Sequence, residues 1–115
     1  MLISATTLAA DEKSIAITID DLPLDDNTAS IADKERYTLA ILESLKRHGV
    51  VATAFVNEDK LLVKGEIDRH VALLERWLDA GMQLGNHNFG HLGLWQTALP
   101  SYQDAVVRGD TITRW

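Results

Sequence analysis

Apolar residues fall into three short runs, separated by two stretches of helical period. Residues 15–20, Ile15-Ala16-Ile17-Thr18-Ile19-Asp20, are β-branched or small with little charge, and predict a strand buried on both faces, as in a parallel sheet. The following "DDLPLDDNTAS" reads as a loop. From about Asp33, Tyr37, Ile41, Leu45 and His48 recur at spacings of three and four, with Lys34, Glu35, Glu43 and Lys46 on other faces. That pattern predicts a helix stopped by Gly49. Residues 50–56, "VVATAFV", predict a second strand. A second helix is predicted over 65–80, with Ile67, Val71, Leu74 and Leu78 on its apolar side and Gly81 at its end. "MQLGNH", 82–87, predicts a short third strand, followed by a loop to Pro100. Ser101, with Asp104 three residues on, predicts an N-cap for a third helix that runs on toward Trp115.

Strand alternating with helix predicts an α/β fold of about three βα units with parallel pairing. Ligands in such folds gather at the carboxyl ends of the strands. Asp20 and Asp21 end the first predicted strand and His87 ends the third, so all three are expected on one rim. Three units leave sheet edges uncovered. The expectation is therefore the front part of a larger domain, or a domain that associates with another copy through its exposed edge.

Composition narrows the function classes. The 115 residues are 46% apolar and 24% charged, ordinary for a globular chain. Eleven Lys and Arg against seventeen Asp and Glu give a formal charge of -6. With no basic cluster to neutralise phosphates, nucleic acid is excluded as an expected partner. The absence of cysteine excludes disulfides and thiolate chemistry. "MLISATTLAA" looks like the tail of a secretory signal without a basic start, so residues 1–14 read as a tail or residual signal-like segment. No stretch is long enough for a membrane span.

"GNHNFGH" places His87 and His91 four residues apart, which lets two imidazoles share one ion. A carboxylate completing the set would leave one position for water, the arrangement of catalytic zinc. Asn88, Phe89 and Gly90 stand between the histidines, so no glutamate base lies there as in the zincin motif. The paired aspartates offer both a ligand and a base. His48 and His70 fall inside predicted helices, as partly exposed or capping residues. Two other readings stay open: a phosphate-handling domain with magnesium on Asp20 and Asp21, and a non-catalytic βα module that oligomerises.

Taken together, three blocks resemble the NodB-type polysaccharide deacetylases, carbohydrate esterase family 4. "TIDDLP" at 18–23 is similar to that family's Thr-Phe-Asp-Asp-Gly-Pro, with Leu22 in place of glycine. His87-Asn88-Phe89-Gly90-His91 resembles its His-Ser/Thr-x-x-His, and "KRHGVVATAFV" at 46–56 resembles its second-strand region. The resemblance implies an incomplete, distorted (β/α) barrel over residues 15–115, with Asp20 as catalytic base and Asp21, His87 and His91 as metal ligands. It implies one divalent ion, zinc first and cobalt, nickel or iron as further candidates. It also implies an acetylated carbohydrate substrate and a secreted or periplasmic location. The family's later motifs, which carry the arginine that orients the base and the general-acid histidine, do not occur here. The chain alone is therefore expected to be a shortened domain, weakly active or inactive.

Overall fold

A computed structural model describes residues 13–114. Most of the signal-like segment, residues 1–12, lies outside the described residues. The element order is β1 (Ile17–Leu22), α1 (Ile31–Arg47), β2 (Ala52–Val56), a 3-10 turn (Glu58–Leu61), α2 (Ile67–Asp79), β3 (Gln83–Asn86) and α3 (Leu99–Arg108). The strands form one open sheet in the order β1-β2-β3, parallel throughout. Three parallel strands with helical crossovers form the pattern of a partial (β/α) barrel, as the sequence predicts.

Ala52, Ala54 and Val56 of β2 point to one face, where Leu42 of α1 and Leu74 and Trp77 of α2 close over them with Leu22, Leu61 and Met82. Thr53 and Phe55 point to the opposite face and are only half-buried. On that side Thr53 Oγ1 donates to Gln83 Oε1 across the sheet at 3.1 Å. β1 is an edge strand and is not buried on both faces: Thr18, on the face that the helices leave open, is exposed, and so is Ile17 at the start of the strand.

The helix faces differ from the periodicity reading. α1 buries Ile31, Lys34, Thr38 and Leu42, whereas Tyr37 and His48 are exposed. α2 buries His70, Leu73, Leu74 and Trp77, and leaves Ile67 and Leu78 exposed. Ile41, Leu45 and Leu74 of the predicted stripes do pack against the core. His70 is not a partly exposed helix residue but a buried one. Its Nδ1–H donates to Glu66 O at 2.9 Å, which leaves Nε2 to accept from Lys34 Nζ at 3.3 Å. This polar pair lies between α1 and α2, and burial pushes the Lys34 ammonium below the usual lysine pKa.

Ser30, before the predicted helix start, caps α1: its Oγ accepts from Asp33 N at 3.2 Å and donates to Asp33 Oδ2 at 2.8 Å. α3 starts two residues ahead of Ser101, with Pro100 in its first turn and no side-chain cap, so the Ser101–Asp104 cap does not form. It ends at Arg108, with Gly109 next, rather than running toward the chain end. No helix among the described residues is long and apolar enough to cross a membrane.

Candidate metal centre

Two adjacent aspartates on a regular strand would face opposite sides of the sheet. β1 avoids this with a bulge. Ile19 pairs with Ala54 and Leu22 with Val56, so Asp20 and Asp21 together stand opposite the single residue Phe55. The extra residue returns Leu22 to the same apolar core that Ile19 packs against. Asp21 takes the left-handed conformation, φ 65°, which a short polar side chain tolerates better than most.

The second half of the centre comes from the loop after β3. His87 N donates to Val56 O at 2.9 Å and so continues the pairing past the strand end. Asn88 and His91 are also left-handed, at φ 57° and 51°. With Asp21 they are the only non-glycine residues of positive φ among the described residues, so backbone strain concentrates at this one rim. Asn88 stands where the resemblance expects Ser or Thr, and its amide does a hydroxyl's work twice. Its Oδ1 accepts from Leu92 N at 2.9 Å and its Nδ2 donates to Leu92 O at 3.0 Å, clamping the turn that carries His91.

The result is a convergence of donors. His91 Nε2 lies 3.5 Å and His87 Nε2 3.9 Å from Asp21 Oδ1. One ligand atom from each of the three residues lies within 4.8 Å of the others. Bonds of about 2.1 Å in a tetrahedron separate any two donors by about 3.4 Å, so the set fits a divalent ion with little adjustment. Asp20 is not in this group. It is exposed and makes no side-chain hydrogen bond or ion pair among the described residues.

Sequence reasoning missed the segment that assembles the rim. Asn57, Glu58, Asp59 and Lys60 follow β2 in succession, and each grips a different part of the chain. Fully buried Asn57 donates from Nδ2 to His87 O at 2.8 Å and Asn88 O at 3.2 Å, while its backbone N–H donates to Leu22 O at 3.1 Å. It therefore ties the tips of β1 and β3 together. Buried Glu58 accepts from the backbone of Ile112 and Thr113 at 2.7 Å each and of Thr111 at 3.2 Å, stapling down the turn after α3. Asp59 Oδ1 accepts from Gly90 N at 2.9 Å, and Lys60 Nζ donates to Asp21 Oδ1 at 3.1 Å. The available signal was position: four polar residues at the carboxyl end of the central strand.

α3 braces the histidine loop from outside. Asn86 Nδ2 donates to Val106 O at 2.7 Å and Phe89 N to Ala105 O at 2.9 Å. Gly109 permits this approach, since a Cβ there would fall 2.6 Å from Asn86 Oδ1 and 2.9 Å from Asn88 Cα. Beside the histidines an open cleft is lined by His87, His91, Trp95, Tyr102 and Val106.

The polysaccharide deacetylase family model matches residues 7–112. The peptidoglycan-N-acetylglucosamine deacetylase PgdA of Listeria monocytogenes is 34% identical over 100 residues, covering 87% of this chain and 18% of that protein. The peptidoglycan deacetylase PdaC of Bacillus subtilis superposes with a TM-score of 0.64 at 26% identity, covering 90% of this chain and 44% of that one. A mutant of a carbohydrate esterase family 4 pseudoenzyme, with restored enzymatic activity, superposes with a TM-score of 0.68 at 22% identity, covering 90% and 32%. At that identity the likeness concerns fold alone. The chain spans about a fifth of the length of the curated relatives it matches.

Proposed function

We propose that this chain, which belongs to the polysaccharide deacetylase family, supplies the metal-binding half of a centre that hydrolyses acetyl groups from N-acetylated or O-acetylated sugars. The observation that carries the proposal is the meeting of Asp21 from the tip of β1 with His87 and His91 from the tip of β3. Two nitrogens and one oxygen suit zinc, cobalt, nickel or iron, and zinc is the ion proposed. Magnesium prefers an all-oxygen shell, so the two imidazoles weigh against the phosphate-handling alternative.

A bound divalent ion would lower the pKa of its water toward neutrality and polarise the acyl carbonyl. The chain's own residues do the rest. Asp21, His87 and His91 fix the position of attack, with Asn57 and Asn88 holding the histidine loop. Asp20, exposed and without a side-chain partner among the described residues, takes the proton released as water oxygen bonds to the acyl carbon. The C–N or C–O bond then breaks, and the departing sugar nitrogen or oxygen must gain a proton. Neither remaining histidine can give it. His48 caps the far end of α1, and His70 is buried against Lys34. Lack of a general acid costs about 10²–10⁴ in rate, so weak turnover is expected of the 115 residues alone.

A cell-wall or extracellular polymer as substrate puts the site of action outside the cytoplasm, in keeping with the signal-like residues 1–14. The exposed edge strand β1 also suits pairing with a second copy.

Calorimetric titration with zinc tests the central proposal. One ion per chain is expected, and Asp21→Ala, His87→Ala or His91→Ala should each weaken binding by at least about a hundredfold. Asp20→Asn should leave binding in place and lower turnover. Zinc uptake indifferent to both histidine substitutions, or a folded chain with no uptake, would overturn it.

A further inference from the structure

Asp21 Oδ1 is approached from two sides. The imidazoles of His91 and His87 face it at 3.5 and 3.9 Å, and the Lys60 ammonium stands 3.1 Å from the same oxygen. Lys60 is not a stray surface lysine. Its side chain is 7% exposed and is delivered by the 3-10 turn that assembles the rim. Its nitrogen also lies 3.5 Å from Oδ1 of Asp25, whose side chain is 88% exposed. A donor set suited to a dication thus already carries a monocation on the oxygen that would bind it.

Like charges a few ångströms apart in a partly buried setting oppose each other strongly. They cannot share one carboxylate oxygen without loss of affinity for one of them. We infer that Lys60 is a built-in counter-ion that competes with the divalent ion for Asp21, and that Asp25 is the alternative seat for its ammonium. This rests on Asp21, His87 and His91 being the metal ligands. When the site lacks metal, Lys60 neutralises Asp21 and holds the carboxylate facing the histidines. When metal enters, Lys60 yields Oδ1 and leans toward Asp25, a short movement because both carboxylates are already within its reach. The arrangement keeps the site preformed while making its metal exchangeable.

A purely orienting lysine would behave oppositely. Removing a residue that only steadies a metal ligand weakens metal binding, typically by about 10–100-fold. The sign of the effect therefore separates competitor from buttress.

The test is calorimetric titration of the full chain with zinc chloride, after chelation and at neutral pH. Lys60→Met should bind zinc at least about tenfold more tightly, and Lys60→Gln should do the same. Circular dichroism monitors folding, and the two neutral variants guard against a defect peculiar to either. Lys60→Arg, which keeps the charge, should stay within about threefold of the parent chain. Asp25→Asn should weaken binding by about threefold in the parent and much less in the Lys60→Met background, because the second seat matters only while the ammonium is present. Equal or weaker binding by both neutral variants, or an Asp25→Asn effect of the same size in both backgrounds, would overturn the inference. Zinc uptake that requires His87 yet fails these comparisons sinks the competition alone. Uptake indifferent to His87 sinks the metal site and the competition with it.

Discussion

The helix-covered face of the sheet and its carboxyl rim are built on different physics. On the covered face Ala52, Ala54 and Val56 meet Leu42, Leu74 and Trp77, an assembly held by apolar burial and close packing. On the rim, a few ångströms away, the cohesive contacts are directional. Asn57 holds the β3 loop, Glu58 the turn after α3, Asp59 the glycine before His91, and Lys60 the carboxylate of Asp21. Packing tolerates repacking and small shifts. A hydrogen-bonded rim does not, and a metal site needs that intolerance, because its donors must hold their spacing to fractions of an ångström. The core keeps the chain folded, and the rim keeps three side chains aimed at one point.

Three substitutions would break or sharpen that division. The largest effect is expected from Trp77→Ala, which removes the largest buried side chain and should cost about 3–5 kcal/mol in denaturant unfolding. Zinc affinity should fall only as far as the folded fraction falls; a separate loss in the fully folded population would mean that core and rim are not independent. Asn57→Ala should invert the proportion. Stranding the carbonyls of His87 and Asn88 should cost about 1–3 kcal/mol, while zinc affinity drops about 10–100-fold. Ser30→Ala touches neither region. It should remove about 1 kcal/mol through the lost α1 cap and leave zinc affinity unchanged, as titration alongside thermal unfolding would show.

The same division decides how much of the molecule is legible in its sequence. All three strands and all three helices are visible in the sequence, because alternation and helical period register apolar burial. The errors arise where burial is polar. His70 and Lys34 are buried against each other at positions that leucine and isoleucine spacing does not mark. β1 starts at Ile17 and not at 15, and runs past 20 to Leu22 because its bulge draws both aspartates into the strand. His87 and His91 can be named from the sequence because their residue type and spacing carry the chemistry, whereas the choice of Asp21 over Asp20 as ligand rests on the family resemblance. That they meet could be argued only from rim topology, and the bulge that lets Asp21 join them has no marker in the letters around it. Asn57 to Lys60 carry no mark of their role, since nothing in a run of polar residues says which of them is buried. Asp20 remains the residue whose role rests on resemblance more than on contacts.

The 3-10 turn after β2 has a consequence for how this stretch tolerates change in length. Surface connections usually absorb an added or deleted residue with ease. Here neighbouring positions serve separate clients, so inserting one residue between Val56 and Asn57 would offset several grips at once and hand the duty of the Glu58 carboxylate to an amide. A segment that looks like the most expendable in the chain is therefore among the least free to grow or shrink.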